Sequence, residues 1–113
     1  MTLITRSVDP DITVIELAGK MTSVREFNVE AIVAQLLADG ARKVVFDLSE
    51  LGYIDSSGIG QLISSASKII KVGGKCCVSG TKGLVLKVFQ IARVYALIPF
   101  ADTEAEACAL LNA

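Results

Sequence analysis

Short stretches of mixed apolar and polar residues open the chain, and a helical period of apolar positions follows them. Leu3 to Val8 and Ile12 to Leu17 read as two short strands, with Asp9-Pro10-Asp11 between them. Proline presets its backbone angle in turns, so this tripeptide separates two short strands. Strands joined this closely pair as an antiparallel hairpin. Val29, Ile32, Val33 and Leu36 then recur at helical spacing. Ser23-Val24-Arg25-Glu26 reads as a capping box ahead of that helix, and Gly40 can close it in the left-handed region. Val44-Val45-Phe46-Asp47-Leu48 is a short apolar run, which suits a parallel strand covered on both faces.

The second half continues the alternation. A helix is expected from about Ser57 to Lys71, ending before Gly73-Gly74, then a strand over Lys75 to Ser79. Another helix is expected over about Leu84 to Arg93, and a brief strand near Ala96 to Ile98 before Pro99. The last helix should start near Asp102 or Thr103, with Glu106 completing a capping box from Thr103. This order predicts an α/β fold of one domain spanning residues 1–113. Its mixed β-sheet begins with an antiparallel hairpin, continues with parallel strands and packs with about four helices.

Composition narrows the function. The 113 residues are 52% hydrophobic and 20% charged, enough apolar surface for one core. Net charge is −1, the eleven Lys and Arg are scattered, and there is no Trp. No basic stripe stands out, so nucleic acid is not an expected partner. No apolar run approaches a membrane span, and the first residues do not read as a signal peptide, so the expected location is the cytoplasm. Cys76, Cys77 and Cys108 make an odd count, which argues against a disulfide framework. Cys76 and Cys77, being adjacent, should point to opposite faces of their strand and pack as small apolar groups. The chain has no His, which removes every mechanism that uses imidazole as base or ligand.

The informative stretch runs from Asp47 to Gly60: a buried strand, a turn, then Asp55-Ser56-Ser57-Gly58-Ile59-Gly60 opening a helix. Helix openings carry unpaired amides and a partial positive charge, and can meet anions. Ile59, Leu62, Ile63, Ala66 and Ile70 form the expected apolar stripe, with Ser57, Gln61, Ser64 and Lys68 opposite. Ser56 then suits the N-cap, and Ser57, at the first helical position, should face solvent. The same four residues, Asp-Ser-Ser-Gly, also fit an ordinary helix start with no further role.

In these residues the chain resembles a STAS domain of the bacterial anti-sigma factor antagonist type. The resemblance takes in Ile15-Glu16-Leu17-Ala18-Gly19, Val44-Val45-Phe46-Asp47-Leu48-Ser49, Tyr53 to Gly60 and the Gly73-Gly74 pair. It implies a phosphorylation switch at Ser57, the second serine of the motif. The unphosphorylated form would bind an anti-sigma factor with serine kinase activity and free the sigma factor; a metal-dependent serine phosphatase would reset it. No catalytic residue, cofactor or metal is implied. The partner-binding face would comprise Thr22, Asp55, Ser56, Ser57, Gly58 and Gln61, with Thr81 and Lys82. Two stretches depart from the family pattern. Lys20-Met21-Thr22 stands where a segment ending in Asp is usual, and Ile91-Ala92-Arg93-Val94-Tyr95 where Thr-Gly-Leu is frequent.

Other readings are weaker. A STAS adaptor of another regulatory or lipid-transport complex would use the same helix face without regulated phosphate. A serine hydrolase at Ser57 lacks the His that would activate the hydroxyl. Ser79-Gly80-Thr81-Lys82-Gly83 lacks the full glycine spacing of a phosphate loop and reads as a loop leading into a helix. Asp47, ending a buried strand, is expected to make a structural hydrogen bond.

Overall fold

The structure, a computed structural model, describes residues 1–9, 11–23 and 28–113. In chain order its elements are β1 (Thr2–Asp9), β2 (Ile12–Met21), α1 (Val29–Ala38), β3 (Lys43–Asp47) and β4 (Leu51–Ile54). They continue with α2 (Ser56–Lys71), β5 (Lys75–Ser79), α3 (Gly83–Ile91), a 3-10 turn over Val94–Ala96, β6 (Phe100–Ala101) and α4 (Glu104–Leu111). The expected hairpin is present: β1 runs antiparallel to β2, from Thr2 opposite Ala18 to Ser7 opposite Thr13. The main sheet then continues β2-β3-β5-β6, all parallel.

Strand alternation sorts the core into two layers. Ile15, Leu17, Val44, Phe46, Cys76 and Val78 point to one face, where α1, α2 and α3 contribute Val33, Leu62 and Phe89. Ile12, Val14, Val45 and Cys77 point to the other, closed by Ala107 and Leu111 of α4. The adjacent cysteines do face opposite ways, and all three are free of disulfides. Among the described residues no helix is long and apolar enough to cross a membrane.

Several elements differ from expectation, each for a local reason. β2 runs on to Met21 because β4 pairs in parallel with its last residues. β4 itself was hidden. The ladder slips between Gly19 and Lys20, so Gly52 is left without a partner and only Leu51 and Ile54 are buried. The strand expected at Ala96 to Ile98 is a 3-10 turn, reached after Arg93 adopts a left-handed φ of +56°. β6 forms beyond Pro99, whose carbonyl accepts the Val78 N–H at 2.9 Å. The Ser23–Glu26 capping box falls largely outside the described residues. α1 is instead capped by Asn28, whose Oδ1 accepts the Ala31 N–H at 3.1 Å. On α2 the inward stripe includes Ile69, and Ile70 is exposed.

Burial pushes the thiols of Cys76 and Cys77 up from 9.0 to about 11 each, with a smaller push from a neighbouring thiol. The unfolded chain therefore loses these protons first, near pH 9.0, while the folded chain retains them to about 11. Stability should fall as pH rises through that window. Urea midpoints measured below and within it should show this loss in the wild type, and a flatter profile in a Cys76→Ala/Cys77→Ala variant.

Candidate functional site

The site is built where β4 passes the chain into α2. Lys20 pairs with Tyr53 and Met21 with Ile54. The Asp55 N–H then donates to the Met21 carbonyl at 3.2 Å, carrying the ladder one residue further. Asp55 is extended, with φ −112° and ψ −174°. Its Oδ1 accepts the Gly58 N–H at 3.0 Å, and its carbonyl accepts the Ile59 N–H at 3.0 Å. Asp55 is therefore the N-cap, and Ser56 and Ser57 are the first and second helical residues.

This corrects the expectation that Ser56 caps the helix and Ser57 leads it. A carboxylate is as good an N-cap acceptor as a hydroxyl. β4 keeps the backbone extended through Asp55, so the cap falls one residue earlier. Moving the start by one residue turns every later side chain by about 100°. Ser56 is exposed, and Ser57 is half-buried.

Gly58 is required by close approach. A Cβ there would stand 2.6 Å from the Met21 carbonyl oxygen and 2.7 Å from Ile54 Cγ1. Gln61, expected on the polar side, is buried at 2% exposure, and its Nε2 donates to the Thr22 carbonyl at 3.2 Å. The helix opening is thus tied to the end of β2 at two points. Thr22, Asp55, Ser56, Ser57, Gly58 and Gln61 do come together: the two serines stand at the helix opening, while Gly58 and Gln61 support it from beneath.

Thr81 and Lys82 lie after β5, in a loop that Gly80 turns with φ +76°. A Cβ on Gly80 would meet Ser49 Cβ at 2.9 Å, so this loop packs on the turn leading to β4. Lys82 occupies the N-cap position of α3 without a side-chain cap bond, in keeping with a loop that leads into a helix. Thr81 lines a separate hollow of about 230 Å³ with Leu86, Phe100, Asp102 and Glu106. Asp47 accepts the Ser49 N–H at 3.0 Å, a structural bond.

Two features escaped the sequence. Tyr53 is 38% exposed two residues before the cap, and recognising β4 would have found it. The carboxylates of Glu16, Asp47 and Glu104 converge within 4.8 Å of one another, drawn from three elements distant in sequence. The cation among them is Arg6, whose Nη2 lies 2.9 Å from Glu16 and 4.0 Å from Asp47 and also bonds Glu104. Those bonds, Glu104 first and then Glu16, hold the guanidinium more firmly protonated than usual. Arg6 is the cation that draws the three carboxylates together.

The family model of the STAS domain matches residues 4–107. The chain belongs to the STAS domain family. It is 31% identical over 93 residues to BtrV of Bordetella bronchiseptica, named as an anti-sigma factor antagonist; the match covers 82% of this chain and 80% of BtrV. An anti-sigma factor antagonist from Mycobacterium paratuberculosis superposes with a TM-score of 0.86 at 19% identity, over 99% of this chain and 94% of that one. The Bacillus cell fate determinant SpoIIAA in its phosphorylated form superposes at 0.73 and 22% identity, over 96% and 98%. The two superpositions establish that this STAS domain has the fold of anti-sigma factor antagonists.

The cap geometry sets the expected energetics. Asp55→Ala removes the acceptor of the Gly58 N–H and should cost about 1 kcal/mol. At this size that lowers the melting temperature by roughly 4–8 °C. Gly58→Ala should cost about 1–3 kcal/mol by overpacking against Met21 and Ile54. Ser56→Ala should leave the melting temperature nearly unchanged. Thermal melts of the three variants followed by circular dichroism check this order.

Proposed function

We propose that this STAS domain is an anti-sigma factor antagonist switched by phosphorylation of Ser57. Residues 1–113 act as one unit in the cytoplasm, without catalysis of their own. The unphosphorylated form binds an anti-sigma factor that is also a serine kinase, and the sigma factor is released. Phosphate on Ser57 ends that binding, and a metal-dependent serine phosphatase restores it.

The observation that carries this reading is the position of Ser57 in the first turn of a helix capped by Asp55. The names of the relatives supply the regulatory setting. A phosphoserine adds about −1.5 to −2 charges. In the first helical turn such a charge is favourable by roughly 0.3–1 kcal/mol, so phosphorylation should leave the fold intact. The same dianion beside the Asp55 carboxylate must be desolvated when a fitted partner closes over it. Without a matching cation that costs several kcal/mol. Each 1.4 kcal/mol is tenfold in affinity, so the charge suffices to separate a complex.

Ser56 competes as acceptor, because it is the more exposed hydroxyl. Ser57 is favoured because the resemblance carries the phosphate to the second serine, and its side chain stays half-exposed at the helix opening.

Incubation with the cognate kinase and ATP should add one phosphate, and peptide mapping should place it on Ser57. Ser57→Ala should accept none and bind the kinase constitutively. Ser57→Asp should stay folded and bind at least about tenfold more weakly. Equal affinity of Ser57→Asp and wild type would refute charge exclusion. A chain that takes no phosphate while still binding its partner would instead be the adaptor described above.

A further inference from the structure

α4 covers its side of the sheet with one short stripe. Glu104, Ala107, Cys108 and Leu111 recur at helical spacing, which turns all four toward the strands. Glu104 meets Arg6 there, and Ala107 and Leu111 are buried with Ile12, Val14, Val45 and Cys77. Cys108 packs against the same cluster but stays half-buried. The helix is eight residues long and closes this layer unaided, which leaves the Cys108 thiol within reach of small solutes.

Three thiols allow three pairings, and the fold selects one of them. Cys76 and Cys77 are adjacent in β5 and point to opposite faces of the sheet. Cys76 belongs to the layer covered by α1, α2 and α3, so the sheet stands between it and Cys108. Cys77 and Cys108 share the α4 layer. Cys77 is wholly buried, and its Sγ makes a long bond of 3.6 Å to the Val78 carbonyl. A thiol is a weak donor and gives up such a bond at little cost. Burial raises the pKa of Cys77, and the second cause is the nearby Cys108 thiol; for Cys76 the neighbouring thiol is Cys77 instead.

We propose that Cys77 and Cys108 are a redox pair, which hydrogen peroxide converts to a disulfide joining β5 to α4. Cys108 reacts first, because its thiol is the accessible one of the two. Its sulfur attacks a peroxide oxygen. An S–O bond forms, the O–O bond breaks, and Cys108 becomes a sulfenic acid as one water leaves. The Cys77 sulfur then attacks the Cys108 sulfur. An S–S bond forms, the S–O bond breaks, and the Cys77 proton leaves with the hydroxide as a second water. The two thiols supply two electrons, and the peroxide is reduced to two waters. In a reducing compartment the pair rests as thiols, and dithiol reductants reverse the bond. Cys77 and Cys108 stand 31 positions apart, so the bond encloses α3 and β6 in one loop and restricts the unfolded chain. Ser57 takes no part, because α2 lies on the other face of the sheet.

Mass spectrometry of the reduced full chain, freed of reductant and treated with excess hydrogen peroxide at neutral pH, tests this. The intact mass should fall by about 2 Da, and dithiothreitol should restore it. A proteolytic digest should yield one linked pair of peptides, carrying Cys77 and Cys108. The melting temperature of the oxidised chain should rise by roughly 10 °C. Cys76→Ala should behave as the wild type. Cys108→Ser should lose no mass, and Cys77→Ala should stop at a Cys108 sulfenic acid that dimedone traps. Circular dichroism before oxidation checks that each variant is folded, and the peptide map of the wild type stands without them. A mass that only rises, as Cys108 passes to sulfinic and sulfonic acid, would overturn the proposal. So would a link through Cys76, a disulfide between two copies, or a bond from Cys77 to Cys108 that forms only in urea.

Discussion

The Asp55 carboxylate sets the geometry of the whole candidate site. Its bond to the Gly58 amide fixes where α2 begins, and its own amide continues the ladder from Met21. A strand end and a helix start are thus joined through one residue, with no flexible connection between them. The buried Gly58 and the bond from Gln61 to Thr22 hold the first turn of α2 down onto β2 and β4. A charge added in that first turn has little room to move away from a partner. The local rigidity, more than the identity of the hydroxyl, is what would make a phosphate effective there.

The two layers of the core divide the labour. Three helices cover the face that delivers the α2 opening, and α4 alone closes the other. Arg6 spans the thinner side, linking β1 to Glu16 on β2 and to Glu104 at the start of α4. Glu104 and Glu106 stand in the first turn of α4, where negative charge is favoured, so the ion pair and the helix field act together.

Much of the fold was legible because burial imposes period on sequence. The hairpin, β5 and the Thr103 cap of α4 follow from turn residues, short apolar runs and capping chemistry, and the Thr103 oxygen does accept the Glu106 amide at 3.2 Å. β4 was not legible: a four-residue strand with a slipped ladder and an unpaired Gly52 shows no alternation. The site was read to within one residue, and that residue mattered. Asp, Ser and Ser are all good caps, and only the length of the hidden strand decides among them. Gln61 misled for a related reason. A polar side chain at a helical spacing reads as solvent-facing, yet Gln61 turns inward and its Nε2 donates to a backbone carbonyl at another strand end. Pairings across long separations, such as Arg6 with Glu104, leave no local pattern at all.

Pro99 has a consequence for how the protein behaves among its neighbours in solution. Its carbonyl accepts from Val78, but it has no amide hydrogen to extend pairing towards the start of β5. β6 is held to two residues, and this border of the sheet stays short and recessed between α2 and α4. Short, proline-bounded edge strands give a passing chain too few backbone groups to template on. A sequence rich in Val, Ile and Leu, and thus prone to cross-β growth while unfolded, is protected on that side by the absence of a single hydrogen atom.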